Sequence, residues 1–241
     1  MLERIDITSV RQPYAGRSIP IIAIATLAIC ALLPGRAWAT STGLNNIPTA
    51  DTPPDRTVVI QTFTNLRDEQ QADFVAGFKM GLRPLDQRLE WGLDGRLGEN
   101  DTGPAVFQVK YAVQPWEQLP TFAAGAANIA VTSDDREEVG QAFKFLVVTH
   151  DFDLFRAHAG FGFQHKNDAA FFGFDKTIEV FGRDLMLRSD FIQIDGADQW
   201  LGSGGFIYFL HENFAVESWM SVPFESGEPI FTLKLNFIFE F

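Results

Sequence analysis

Phe231–Phe241 reads FTLKLNFIFEF. Phe231, Leu233, Leu235, Phe237, Phe239 and Phe241 take alternate positions. Thr232, Lys234, Asn236 and Glu240 fall between them, and Ile238 is the one apolar exception. A period of two belongs to a β-strand, whose successive side chains point to opposite faces. One face here is oily and the other polar. A strand of about 9–11 residues crosses a bilayer when tilted. The same ladder on the free edge of a soluble sandwich, the alternative reading, would invite edge-to-edge pairing. The stretch therefore predicts a strand with lipid on one side and a wet or polar interior on the other.

The pattern repeats upstream. Leu89, Trp91, Leu93 and Leu97 oppose Arg88, Glu90, Asp94 and Arg96. Four charges on one side of a strand cannot face lipid, and a closed barrel with a polar interior satisfies both faces. Phe74, Ala76, Phe78, Met80 and Leu82 oppose Lys79 and Arg83. Phe107, Val109, Tyr111 and Val113 oppose Gln108 and Lys110. Ala157, Ala159, Phe161 and Phe163 oppose Arg156 and His158. Leu185, Leu187 and Phe191 oppose Asp184, Arg188 and Asp190, blurred by Met186 and Ile192. Turn clusters between such segments predict an all-β, antiparallel up-and-down transmembrane β-barrel of about twelve strands. The predicted strands lie near 57–64, 72–83, 87–97, 104–114, 120–131, 142–151, 154–165, 169–180, 183–194, 199–210, 212–223 and 230–241. Ten strands remain if the first and eighth fail.

Arg4, Arg11 and Arg17 precede an apolar run from Ile19 to Leu33, followed by Ala37-Trp38-Ala39. This order predicts a signal peptide over 1–39. Residues 40–55 are polar and proline-containing and read as a periplasmic lead-in, leaving 56–241 for the barrel. Of 19 basic and 31 acidic residues, four basic and two acidic precede Thr40, so the exported part carries 15 and 29, a net charge of −14. Such acidity argues against nucleic acid as a partner. The single cysteine, Cys30, lies inside the predicted signal peptide, so the exported part holds no disulfide and no thiolate metal site.

The polar faces place Lys79, Arg83, Arg88, Glu90, Asp94, Arg96, Lys110, Lys144, Arg156, His158, Asp184, Arg188, Asp190, Glu217, Lys234 and Glu240 on the barrel's inner wall. Basic groups slightly outnumber acidic ones there. These charges suit either a narrow solute pathway or a barrel filled by its own ion pairs. Trp91, Trp116, Trp200 and Trp219 fit an interfacial girdle. The acidic run Asp134–Glu138 could take a divalent cation, though a solvated loop explains it as well. No serine, histidine or carboxylate falls at a spacing that marks an activated nucleophile, so no catalytic, cofactor or metal residues are assigned.

The end of the chain resembles the C-terminal signal of bacterial outer-membrane β-barrels, in which the last aromatic and those two and four residues before it are read by the barrel assembly machinery. Phe237, Phe239 and Phe241 match it. The resemblance implies a cell outer membrane location, with lipid and the assembly machinery as partners and a monomeric state. Thr42-Gly43-Leu44-Asn45-Asn46-Ile47-Pro48-Thr49-Ala50-Asp51 resembles the opening of the YjbH-type outer-membrane proteins associated with exopolysaccharide secretion. The function expected is a narrow passive channel for small or anionic solutes or saccharides. The alternatives are a structural or envelope-associated barrel with a sealed lumen, and an outer-membrane hydrolase or lipid-modifying enzyme.

Overall fold

The computed structural model describes residues 42–66, 73–84, 87–97, 104–132, 139–164, 168–194 and 199–241. The predicted signal peptide and the Asp134–Glu138 run lie outside them.

The described residues form twelve strands: β1 Thr57–Leu66, β2 Asp73–Leu82, β3 Arg88–Leu97, β4 Ala105–Val113, β5 Thr121–Ala130, β6 Phe143–Asp151, β7 Arg156–Phe163, β8 Ala169–Val180, β9 Arg183–Ile194, β10 Gln199–His211, β11 Phe214–Pro223 and β12 Ile230–Glu240. Each pairs antiparallel with its chain neighbours, and β1 pairs with β12 to close the barrel. The closing register runs from Thr57 opposite Glu240 to Leu66 opposite Phe231. Closure removes the edges that the phenylalanine ladder would otherwise expose. The two least regular segments of the sequence, β1 and β8, are both present.

Two irregularities have local causes. At the β4–β5 pair the register shifts between Phe107 and Val109, where Asn128 takes a φ of 55°, a left-handed conformation that asparagine tolerates better than most residues. The β8–β9 turn, Phe181-Gly182, has positive φ at both positions, as a two-residue turn matched to strand twist requires.

The outer face is oily. Phe122, Leu146, Phe161, Phe172, Phe174, Leu187, Phe206, Met220, Leu233 and Phe239 stand exposed around the wall, on the side the alternation predicts. Trp91 joins this face, edge-on to Phe78 at 5.2 Å.

The segment expected to lead in from the periplasm lies inside the barrel instead. Leu44, Ile47 and Ala50 are buried in one apolar cluster with Ala112, Ala123, Ala127, Phe145, Val147 and Phe171, all from the inner faces of β4, β5, β6 and β8. Small wall residues leave the room: a Cβ at Gly173 would run into Leu44 Cδ1. Burying three apolar side chains is favourable at roughly 25 cal/mol per Å², and it is opposed by ordering the segment.

Candidate functional site: a lumen crossed by its own strap

Residues 42–51, hereafter the strap, fold back on themselves: Leu44 N–H donates to the Ile47 carbonyl at 3.0 Å and Thr49 N–H to the Thr42 carbonyl at 3.2 Å. This small hairpin spans the lumen from β3 and β4 to β9, β10 and β11. At one end Thr42 N–H donates to Glu90 at 2.7 Å, and Lys110 Nζ donates to the Thr42 carbonyl at 2.7 Å. Glu90 and Lys110 themselves pair at 3.1 Å with both side chains fully buried.

At the other end Asp190 is the anchor. One of its oxygens accepts the backbone N–H groups of Asn45 and Asn46, at 2.7 and 3.0 Å, and the other accepts the Ser203 hydroxyl at 2.7 Å. Asn45 Nδ2 also reaches Ser203, and Asn46 Nδ2 reaches Ser221. Two backbone donors on one carboxylate are charge-assisted bonds, stronger than neutral ones. The strap's turn therefore sits on a fixed acceptor.

The end of the strap is held by β6 and β7. Ala50 N–H donates to the Thr149 hydroxyl at 2.9 Å. Arg156 holds Asp51 with two bonds and Asp175 with two more. Burial opposes ionisation of Asp51, but the Arg156 guanidinium, helped by His158 and Lys110, prevails and holds the carboxyl below its ordinary range.

His158 bridges Thr149 on Nδ1 and Asp175 on Nε2, each at 2.9 Å. A hydroxyl, an imidazole and a carboxylate in line have the outline of a nucleophilic triad. Here the hydroxyl already accepts the strap's Ala50 N–H, and the imidazole is fully buried. The row anchors the strap. Sequence reading did not single out Thr149, whose strap partner Ala50 lies 99 residues away, or Asp175, which meets Arg156 and His158 across the β7–β8 pair.

Lys79, Glu90, Asp94, Lys110, His158, Arg188, Asp190 and Lys234 all lie buried on the inner wall, and Arg156 is half-buried there. Arg188 pairs with Glu217 at 2.9 Å, which also meets Lys234 at 3.5 Å and accepts from Asn236. Arg83 and Asp184 are exposed at strand ends, and Arg88 and Arg96 half-buried at the two ends of β3, so these four stand toward the rims. Two expectations are corrected. Lys144 points outward, exposed beside Leu146, because β6 places Phe145, Val147 and Thr149 inside. Trp219 is an inner-wall residue with the Arg188 guanidinium 5.8 Å over its ring, so it belongs to no girdle.

What the strap does not fill is a cavity of about 190 Å³ against β1, β2, β10, β11 and β12. Its wall includes Gln61, Lys79, Glu217, Lys234 and Asn236 on the polar side, and Val59, Ile207, Phe209, Trp219 and Ile238 on the apolar side.

The described fold is a closed twelve-stranded barrel with an oily belt and a polar interior, and solved structures share it. A KdgM porin aligns with a TM-score of 0.54 at 8% identity over 76% of this chain and 99% of its own. The chain has a porin-like barrel fold. A KdgM porin in complex with disordered oligogalacturonate aligns at 0.55 with 9% identity, over 76% of this chain and 99% of its own. An outer-membrane channel from Pseudomonas putida F1 aligns at 0.51 with 11% identity, covering 83% of this chain and 100% of its own. No protein-family model matches the porin-like chain, and no curated protein matches it by sequence.

Proposed function

We propose that this chain is a monomeric outer-membrane channel, narrowed by its N-terminal strap, that passes small or anionic solutes. Insertion follows from the oily belt, and the barrel assembly machinery reads Phe237, Phe239 and Phe241 at the end of β12. The observation that carries the reading is the cavity left beside the strap, with Lys79 and Lys234 on its wall. A barrel serving only as a structural element has no need of free space beside buried lysines in its lumen. Charge on that wall favours anions, as rings of basic side chains do in anion-selective pores.

The strap also supports a second reading, a sealed barrel with a role in the envelope, toward which the YjbH-like strap sequence would point. Planar bilayer recordings separate the two. Small, anion-selective steps from the folded protein, and larger ones after deletion of 42–50, are expected of the channel. Steps only after the deletion would favour the sealed barrel. Silence from both folded proteins would overturn the channel.

A further inference from the structure

Every other buried cation on the inner wall has an acidic partner: Lys110 has Glu90, Arg188 and Lys234 share Glu217. Lys79 does not. It is 5% exposed, and among the described residues it has no ion-pair or hydrogen-bond partner. Its cross-strand neighbours are Val59 and Gly92, neither of which can accept from an ammonium through a side chain. A buried ammonium without a partner in contact is expensive.

The ammonium lines the free cavity. Lys234 lines it too, with only part of Glu217 as its counter-charge, since Arg188 and Asn236 draw on the same carboxylate. The cavity wall is thus net positive at one end. Its other side is Val59, Ile207, Phe209, Trp219 and Ile238. At about 190 Å³ the pocket is smaller than the roughly 300–1,000 Å³ of drug-sized ligand sites and suits only a small molecule; few polar groups against apolar walls are the usual composition.

We infer that Lys79, with Lys234 beside it, forms a binding site in the lumen for a small organic monocarboxylate. The carboxylate takes the place of the missing counter-ion of Lys79, and the carbon skeleton lies against Trp219 and Phe209. An inorganic anion would satisfy the charge and leave the apolar wall wet. The inference rests on the reading of the lumen as open to solute and deepens it.

Calorimetric titration of the folded protein in detergent with benzoate and with its neutral isostere benzamide tests the site. Saturable benzoate binding is expected, with benzamide at least tenfold weaker. Lys79→Met should weaken benzoate at least tenfold and, in the absence of ligand, raise the midpoint of thermal unfolding, because it removes an unpaired buried charge. Should that variant fail to fold, Lys79→Gln carries the same affinity expectation. Equal binding of the two probes, or unchanged benzoate affinity in either variant, overturns the site. Bilayer recordings decide the channel separately: absence of conductance alongside charge-selective binding would remove the pathway and leave the site.

Discussion

Asp51 and Arg156 meet in a two-pronged ion pair, Nη1 to Oδ1 at 3.0 Å and Nη2 to Oδ2 at 3.1 Å. The pair ties the last residue of the strap to the first of β7, with Asp175 holding the guanidinium from the other side. Both side chains are about a third exposed, 29% and 34%, so the contact is worth about 1 kcal/mol rather than a buried pair's several. Asp51→Asn should raise the strap-free fraction roughly fivefold, about 1 kcal/mol at 1.4 kcal/mol per tenfold. Open-state occupancy in single-channel records measures it.

The same pair sets a pH response. The carboxyl of Asp51 is held below its ordinary value in the docked state, so docking gains nothing from it when it is protonated. Its contribution is complete above the ordinary carboxylate range and lost as pH falls through the depressed value. Strap release should therefore increase on acidification below that range, and Asp51→Asn should flatten the response. A wild-type conductance that rises instead with increasing pH would contradict this sign.

Asp190 should dominate docking of the strap's turn. Asp190→Ala strips the acceptor from two backbone N–H groups and the Ser203 hydroxyl, which costs about 1–3 kcal/mol for each buried donor left unmatched. Ile47 is 3% exposed inside the lumen, so Ile47→Cys in a Cys30→Ser background should resist maleimide. Adding Asp190→Ala should make the thiol react at least tenfold faster. Equal rates in the two proteins would mean that the anchor lies elsewhere.

Lys110→Met leaves Glu90 buried without its ion pair and removes the donor to the Thr42 carbonyl. A single deletion from a buried pair costs roughly 3–5 kcal/mol. Lys110→Met with Glu90→Gln should recover part of it, because no unpaired charge remains. Urea titrations of the refolded barrels give the comparison.

Deletion of Phe241 should cut the amount of barrel recovered from the outer membrane severalfold while leaving refolding in micelles unchanged. Its backbone N–H makes one bond, to the Arg56 carbonyl, and its ring lies exposed under Arg56. Its contribution to the folded barrel is correspondingly small, so a loss in cells with none in micelles would isolate recognition.

The wall was legible because each strand meets two solvents, and period-two alternation records both. About twelve strands follow from that and from the turn clusters between them, with ten left open where β1 and β8 alternate least clearly. The strap was not legible. Leu44, Ile47 and Ala50 are three apolar residues spaced by three among Gly43, Pro48 and polar residues, and seven residues are too few for that spacing to mark an element, so the segment reads as a linker. What places them is complementary space, Gly173 and the alanines of β4 and β5, set by residues 60–130 positions away. Thr149 was missed for the same reason; Asp175 has its partners, Arg156 and His158, on the adjacent strand, where only the β7–β8 register brings them together. Lys144 was misplaced because the alternation on β6 puts phenylalanine and valine on the inner face, where the strap supplies the oil.

The strap runs without interruption through Thr52–Asp55 into β1, and β1 makes the last seam with β12. A wall that is finished at its first strand must have its furniture in place before the final panel goes up. The ten residues that cross the lumen are attached to the very strand whose pairing completes the circumference. Completion of the wall and narrowing of its interior are thus tied to one strand, and the barrel closes around its own constriction.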